Sequence, residues 1–292
     1  MLESYHGAPT SVVAPAEIPL TGTATLVKTA LNPGYTYLSA DVINDEVYIY
    51  GGLANNAASG RLIKYNPQTG AVTTLASGTA RYAVATVAYN GKLYSFGGYN
   101  GSAALNTAAS YDPLTNRWTT LTTLPAALYG AAVFVYNAKI YIIGGYTGSA
   151  NAANLYVYDP VKNTYQSIAI PSAQRTYFAA YAQLNNLFYM IGGVTSPTLN
   201  RIYNPATNTW SQGLSLPDNR YEANAVANNK QIHVIGGINV TFMNWFNAAQ
   251  STLYRLNGSW SQFSAPIAGY SMPLVVCWGR VYWIGVDVYR LT

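Results

Sequence analysis

A short pattern ending in two glycines recurs along the chain and limits what the chain can fold into. The copies are VYIYGG, LYSFGG, IYIIGG, FYMIGG and IHVIGG, followed near the end by the degenerate VYWIGV. The first glycines of successive copies lie 44 to 49 residues apart. Regular self-similarity at such a period is the sequence signature of repeat architectures, in which each unit is one supersecondary motif. The chain is therefore predicted to consist of six similar units.

Each unit is predicted to form four strands joined by tight turns. A turn such as Asn90-Gly91 stands seven residues before each of the first five glycine pairs, and Asn and Gly tolerate the positive φ of hairpins. The run before it, for example AVATVAY (83–89), is largely apolar, as is typical of a buried strand. A second hairpin follows, with Tyr111-Asp-Pro-Leu-Thr-Asn-Arg-Trp118 as one copy. There, Pro presets φ and Asn116 takes the left-handed position.

The double glycine, the tyrosine three residues before it and the later Tyr-x-x-x-x-x-x-Trp resemble the kelch repeat. Kelch repeats form the four-stranded blades of β-propellers. The resemblance implies an all-β, six-bladed kelch-type β-propeller over residues 21–292, preceded by an extended N-terminal arm over residues 1–20. The last copy holds only three strands, so Thr23–Lys28 (TATLVK) is expected to supply its outer strand and to close the ring.

Composition excludes several classes of partner. Only 9% of the residues are charged, against about 25% in an ordinary domain. The 15 Lys and Arg residues are scattered singly, so we expect no nucleic-acid partner. No apolar run of about 18 residues predicts a membrane span. One cysteine and two histidines without a nearby acidic cluster predict neither a metal nor a cofactor.

The low charge and the loops rich in Ala, Asn, Ser and Thr resemble those of surface and particle proteins. We therefore expect the protein at an extracellular surface or in a virion, although residues 1–20 lack the pattern of a signal peptide. The arm is expected to be either a flexible leader or a segment that docks on a neighbouring subunit.

A tyrosine recurs fifteen residues before the first glycine of five copies. These tyrosines are Tyr82, Tyr129, Tyr177, Tyr221 and Tyr270. In kelch propellers, the loops after the glycine pairs and those that enter the innermost strands gather on one face, and this face binds partners. The tyrosines are predicted to form an aromatic collar at the channel mouth, either packing between strands or offering a stacking surface.

Four further residues are implied as ligand contacts by the resemblance. Arg81 and Arg220 stand one position before the collar tyrosines and are similar to the arginines that grip acidic peptides in cullin-adaptor kelch proteins. Tyr99 and Tyr146 follow glycine pairs, in loops similar to those whose tyrosines contact ligands in the same proteins.

The loop over residues 238–251 (INVTFMNWFNAAQS) is the most apolar of the loops after the glycine pairs. Its Phe242, Trp245 and Phe246 stand outside the repeat register. Large apolar residues in a loop favour a contact surface. The alternative is that the loop folds back and caps the channel.

Glu222 and Arg220 carry the case for an enzyme. Two residues apart on one strand, they would share a face, either as a structural ion pair or as an acid/base pair. Such a pair would suit a sugar isomerase like the bacterial sialic-acid mutarotases, which are also kelch propellers. The leading expectation is instead a non-enzymatic recognition or assembly propeller that binds a glycan or protein, and a third alternative is a structural particle subunit.

Overall fold

The computed structural model describes residues 24–228, 230–238, 252–256, 260–264, 272–277, 280–285 and 287–291. The N-terminal arm lies outside them. Apart from one turn of 3-10 helix (Ser172–Gln174), the regular structure of these residues is β-strand.

The strands in chain order are β1 (Ala24–Lys28), β2 (Tyr35–Thr36), β3 (Ser39–Ile43), β4 (Glu46–Tyr50), β5 (Leu53–Ala54), β6 (Ala57–Ala58), β7 (Leu62–Tyr65), β8 (Val72–Leu75), β9 (Ala85–Tyr89), β10 (Lys92–Phe96), β11 (Ala108–Asp112), β12 (Arg117–Leu121), β13 (Ala132–Tyr136), β14 (Lys139–Ile143), β15 (Asn154–Asp159), β16 (Thr164–Ala169), β17 (Ala180–Leu184), β18 (Leu187–Ile191), β19 (Asn200–Asn204), β20 (Thr209–Gln212), β21 (Asn224–Asn228), β22 (Gln231–Ile235), β23 (Thr252–Leu256), β24 (Trp260–Ser264), β25 (Leu274–Cys277), β26 (Arg280–Ile284) and β27 (Val288–Leu291).

The described strands form six four-stranded antiparallel sheets and one short sheet. Five of the large sheets take their strands consecutively from one repeat: β3-β4-β7-β8, β9-β10-β11-β12, β13-β14-β15-β16, β17-β18-β19-β20 and β21-β22-β23-β24. The first strands of neighbouring sheets pack against each other around a circle that returns from β25 to β3. This arrangement confirms the predicted six-bladed propeller, with the first strand of each blade innermost.

The sixth blade combines both ends of the chain. Its strand order is β25-β26-β27-β1, and β1 pairs antiparallel with β27, placing Thr25 opposite Arg290 and Leu26 opposite Tyr289. The predicted closure by an N-terminal strand is therefore confirmed. Blade 1 carries in addition the short sheet β2-β5-β6 beyond its glycine pair.

Burial changes across each blade as the sequence pattern predicts. The second strands β4, β10 and β14 are buried along almost their whole length, whereas the outer strands β12 and β16 are mostly exposed. Aromatic rings fill the space between blades: the rings of Phe134 in blade 3 and Phe188 in blade 4 stack at 4.4 Å. Burial of such large rings is a main source of propeller stability.

The outer turns also join neighbouring blades. In blade 3, Asn163 has φ 54°, and its Oδ1 accepts hydrogen bonds from the Tyr158 hydroxyl at 2.8 Å and from the Thr122 N–H of blade 2 at 2.9 Å. Asn116 in blade 2 makes the same two kinds of bond, to Tyr111 and to the N–H of Ala76. The recurring tyrosine and asparagine therefore have the same role in both blades: the asparagine oxygen links the tyrosine hydroxyl of its own blade to the backbone of the neighbouring blade.

Candidate functional site

The glycine pairs join each blade to the next. The N–H of the second glycine donates to the carbonyl of the residue that stands sixteen positions before the next first glycine. The bonds are Gly52 to Arg81 (3.0 Å), Gly98 to Leu128 (2.8 Å), Gly145 to Thr176 (2.9 Å) and Gly193 to Arg220 (2.9 Å). This close approach requires glycine, because a Cβ on Gly144 would lie 2.5 Å from the Thr176 carbonyl oxygen.

Among the described residues, five with left-handed backbone lie around the channel mouth, and we call them the mouth ring. They are Tyr37, Ala83, Gly130, Phe178 and Glu222, with φ between 50° and 64°. The N–H of each of the last four donates to the carbonyl of the member before it, at 2.9 to 3.3 Å. The backbone of one blade therefore sets the conformation of the next, and the ring lines a cavity of about 80 Å³.

Seven aromatic rings form a continuous cluster at this mouth, and we call it the aromatic collar. Its members are Tyr37, Tyr82, Tyr99, Tyr129, Tyr146, Tyr177 and Phe178. Neighbouring ring centroids lie 4.8 to 5.9 Å apart. All seven side chains are half-buried. The structure therefore brings together Tyr82, Tyr99, Tyr129 and Tyr146 from two sequence positions per repeat. That they bind a ligand stays a prediction.

Backbone pairing explains why the loop tyrosines meet the collar tyrosines. Tyr82 and Tyr99 exchange two N–H···O bonds, at 2.9 and 3.0 Å, and Tyr129 and Tyr146 do the same. The segment entering the inner strand is thus bridged to the loop that leaves the glycine pair. This side of the propeller, which carries the collar and these loops, is the loop face.

Five other predicted contacts remain, of which the structure describes only Tyr221. Tyr221 is half-buried and bridges the backbone of Ile238, as its blade equivalents do. Tyr270, Phe242, Trp245 and Phe246 lie outside the described residues, so their predicted roles remain predictions.

Burial raises the pKa of three collar tyrosines. Burial, followed by the nearby Tyr177, Tyr146, Tyr99 and Tyr82 hydroxyls, raises the pKa of Tyr129. Burial also raises the pKa of Tyr82 and Tyr177. At neutral pH these hydroxyls can therefore both donate and accept hydrogen bonds.

Arg81 and Arg220 do not present their charges at the mouth, which corrects the expectation of two ligand-gripping arginines. Arg81 is 1% exposed, and its guanidinium donates to the Gly97 carbonyl at 2.7 Å and to Thr107 Oγ1 at 2.9 Å. Arg220 is fully buried, donates to the Gly236 carbonyl at 2.7 Å and forms a two-bond ion pair with Asp218. Both side chains hold the glycine-pair loops of their own blades, because a buried carbonyl needs a donor.

Two further residues donate to equivalent glycine carbonyls from other sequence positions, and the sequence pattern did not predict them. Arg201 Nη1 donates to the Gly192 carbonyl at 2.8 Å, and Asn32 Nδ2 donates to the Gly285 carbonyl at 3.0 Å. Burial lowers the pKa of Arg201 to about 10. No fixed spacing marks these donors, since Arg201 comes from the third strand of its blade and Asn32 from the segment after β1.

Glu222 lies in the mouth ring and lines the cavity. Its exposure is 9%, and the Tyr37 hydroxyl donates to Oε1 at 3.1 Å. The predicted shared face with Arg220 is wrong, because the alternation of a strand does not apply here: β21 begins at Asn224, and Glu222 has φ 57°. The carboxylate belongs to the mouth, while the guanidinium is bound to Asp218 and Gly236.

Below the mouth, the inner strands line a second cavity of about 120 Å³. Tyr181 and Asn224 line both cavities, and Asp41 lines the lower one. Asp41 accepts hydrogen bonds from the N–H groups of Val42 and Ala88, both at 2.7 Å. Burial outweighs these bonds and raises the pKa of Asp41 from 3.8 to about 6.

The described part of the chain carries neither a metal-binding cluster nor a membrane-spanning helix. It holds no group of three or more His, Cys, Asp and Glu side chains placed to bind a metal ion. No helix among its residues has the length and apolar character needed to cross a membrane.

Six antiparallel blades around a lined channel define the protein as a β-propeller. The family model described as the KLHDC2/KLHL20/DRC7 Kelch-repeats domain matches residues 37–237, which is more than half of the chain, so the chain belongs to the kelch-repeat family. A solved structure titled "Structure of YjhT" superposes with a TM-score of 0.76 at 19% identity, covering 91% of this chain and 95% of that one. At this identity the likeness shows the fold alone. A comparison with curated proteins gives no match.

Proposed function

We propose that this protein is a non-enzymatic recognition propeller that binds a glycan or protein partner at its loop face. The observation that carries the proposal is the aromatic collar: seven half-buried rings in one continuous cluster around the channel mouth. Membership of the kelch-repeat family supports a role in protein recognition.

The physical chemistry of the collar suits recognition. Tyrosine offers a large, rigid contact area at a low cost in conformational entropy, and its hydroxyl adds hydrogen bonds. The rings of Tyr82, Tyr99 and Tyr129 already hold each other in place, at 5.5 and 5.1 Å between centroids. A ligand therefore has little side-chain motion to restrict when it binds, which favours affinity.

The setting we propose is an extracellular surface or a virus particle. The low charge content supports it, since only 9% of the residues are Asp, Glu, Lys or Arg. In an assembly, the N-terminal arm (1–20) would contact a neighbouring subunit. Deletion of residues 2–18 tests this contact, because unchanged assembly would exclude it.

A glycan array that includes sialylated sugars, run beside a panel of candidate protein partners, tests the main proposal. We expect a specific ligand that the Tyr99→Ala variant binds about fivefold more weakly or worse, since stacking on one aromatic ring contributes on the order of 1 kcal/mol. The control is Leu114→Ala, which alters an outer turn whose side chain is 96% exposed. An equal loss of affinity in both variants, or no loss of affinity in Tyr99→Ala, would contradict the proposal. Trp245→Ala tests the predicted contribution of the loop over residues 238–251.

The alternative function is a sugar isomerase of the mutarotase type, and Glu222 is the observation that favours it. Its carboxylate lines the channel mouth beside the Tyr37 hydroxyl. In such an isomerase, Arg220 would not be the catalytic partner of Glu222, because the buried Arg220 guanidinium donates to Asp218 and to the Gly236 carbonyl. Turnover of sialic-acid anomers that disappears in Glu222→Gln would support the enzyme, and its absence in the wild type would exclude it.

A further inference from the structure

We propose that the channel mouth binds a basic side chain, lysine or arginine, inserted by a protein partner. The inference deepens the proposed recognition function, and rests on it, by naming the partner's class and the chemical group that enters the mouth. It stands on the charge of the channel, the placement of the arginines, the aromatic rings and the size of the cavity.

The channel is acidic inside a basic protein. The chain carries a net charge of +5. Among the described residues that line the two cavities, the charged side chains are Glu222 above and Asp41 below, with no Lys or Arg. A cationic group therefore meets only opposite charge among the described residues that line the two cavities.

Arg81 and Arg220, each next to a tyrosine of the loop face in sequence, do not oppose such a group. Arg81 and Arg220 are 1% and 0% exposed, and their guanidinium groups point at the Gly97 and Gly236 carbonyls. The charge of Arg220 is further compensated by its ion pair with Asp218 at 2.8 Å. Arg81 and Arg220 therefore offer an acidic peptide no guanidinium beside Glu222. Arg175, two residues before Tyr177, is half-buried, and its Nε donates to the Ile170 carbonyl at 3.0 Å.

Aromatic rings stand beside the carboxylate. Tyr37 donates its hydroxyl to Glu222 at 3.1 Å, and the Tyr37 ring lies 5.9 Å from the ring of Phe178. Ring faces attract cations electrostatically, more strongly where water is excluded. A ligand that covers the mouth also removes water from Glu222, and a cation compensates this loss through a charge-assisted hydrogen bond, whereas a neutral sugar does not.

The cavity fits one side chain better than a whole small ligand. Its volume of about 80 Å³ is small beside the roughly 300–1,000 Å³ of pockets that enclose a drug-sized molecule. Ala83, Gly130 and Ala131 give the wall an apolar lining along which the methylene stem of a lysine or arginine can pack. The rest of the partner would then lie on the aromatic collar.

A labelled tetralysine peptide tests the inference by fluorescence anisotropy, with the same peptide acetylated on every lysine side chain as the neutral counterpart. We expect tetralysine to bind the wild type at least tenfold more tightly than the acetylated peptide. Glu222→Gln should weaken tetralysine binding at least tenfold. The matched control is Glu46→Gln, which removes the same charge at a surface ion pair with Lys64 and should leave binding within twofold.

Three results would overturn the inference: no tetralysine binding, equal binding of the acetylated peptide, or equal effects of Glu222→Gln and Glu46→Gln. The proposed recognition function fails separately. If a neutral glycan or peptide binds and is lost in Tyr99→Ala but not in Glu222→Gln, recognition at the collar stands and the basic ligand falls. If Tyr99→Ala weakens no ligand, the collar itself is not the binding surface.

Discussion

Individual residues at the channel mouth adopt a backbone conformation that their side chains do not favour. Tyr37, Phe178 and Glu222 all have φ between 50° and 57°, in the left-handed region that costs a non-glycine residue on the order of 1–2 kcal/mol. The hydrogen bonds from blade to blade hold them there. Strain of this kind is concentrated at functional sites, and here it directs Glu222 into the mouth.

The buried carboxylate of Asp41 should make stability depend on pH with an unusual sign. Its pKa is about 6 in the folded protein and near 3.8 when unfolded, so the folded state holds the proton more tightly. The stabilisation of the folded state by the protonated Asp41 carboxyl is complete below about pH 4 and is lost as the pH rises to about 6. The resulting fall in the free energy of unfolding is at most about 3 kcal/mol, at 1.36 kcal/mol per pH unit. Denaturant unfolding from pH 3 to 7, wild type against Asp41→Asn, measures it.

Asp112 provides the control for the opposite sign. A hydrogen bond from Lys92 lowers the pKa of this exposed carboxyl, so its contribution is present above the unfolded pKa and is lost as the pH falls. The free energy of unfolding of the wild type minus that of Asp112→Asn should therefore rise with pH, whereas the same quantity for Asp41→Asn should fall. A wild type that tracks Asp41→Asn at every pH would refute the assignment.

Replacement of Arg81 should damage the fold rather than the binding surface. Arg81→Met leaves the Gly97 carbonyl and Thr107 Oγ1 without their charged donor. We expect a loss of about 2–4 kcal/mol in the free energy of unfolding, because buried acceptors are left unsatisfied. Affinity of the still-folded variant for an array ligand should stay within twofold of the wild type. Strongly reduced affinity at unchanged stability would instead support the ligand-gripping role.

At the scale of single elements, the glycine pair is the part of each blade that tolerates substitution least. Gly144 and Gly70 have the same φ, 72°, but differ in their surroundings. A Cβ on Gly144 would lie 2.5 Å from the Thr176 carbonyl oxygen, whereas a Cβ on Gly70 meets nothing within 4 Å. The two positions therefore separate backbone strain from collision.

Alanine at these two positions should give distinct losses of stability. Gly70→Ala is expected to cost about 1–2 kcal/mol from the backbone alone. Gly144→Ala should cost about 1–3 kcal/mol more, because the collision forces blades 3 and 4 apart. Thermal or denaturant unfolding of the two variants gives the comparison. Equal losses of stability would mean that the close approach of blades 3 and 4 at Gly144 and Thr176 does not exclude a Cβ.

Turns and strands could be predicted from the sequence where the residue types of the repeat itself determine the backbone conformation. The turn at Asn137-Ala138, with φ 46° and 56°, and the outer turn at Asn163 follow from residue types that tolerate positive φ. The left-handed Tyr37 and Phe178 carry no such signal, because hydrogen bonds from the neighbouring blade impose their conformation. The burial of Arg81 was missed for a similar reason: its position in the repeat indicated the loop face, but not that its side chain turns inward to Gly97.

The whole molecule depends on a closure that joins its two ends. Strand β1 supplies the outer strand of the last blade by pairing with β27, so residues 24–28 and 288–291 belong to one sheet. Six blades packed in a circle have no free end once this sheet is complete. Closure was predictable because the last repeat lacks one strand and the segment before the first repeat has the pattern of one.

Removal of the closing strand should destabilise the entire ring. A variant lacking residues 1–28 loses β1, while a variant lacking residues 1–20 keeps it and serves as the control. We expect the first to melt at least about 10 °C lower or to aggregate, because the edge of β27 is left unpaired. Calorimetry of both truncations measures the effect. Equal melting temperatures would show that closure does not hold the ring together.

Recognition at the loop face is the central claim for the molecule as a whole. Hydrogen–deuterium exchange of the protein, with and without a saturating amount of its strongest array ligand, tests this claim most directly. We expect slower exchange in the segments 82–83, 99–104, 129–130 and 146–151, with no change in the outer turns 113–116 and 160–163. Protection confined to those outer turns, with the loop-face segments unchanged, would contradict it.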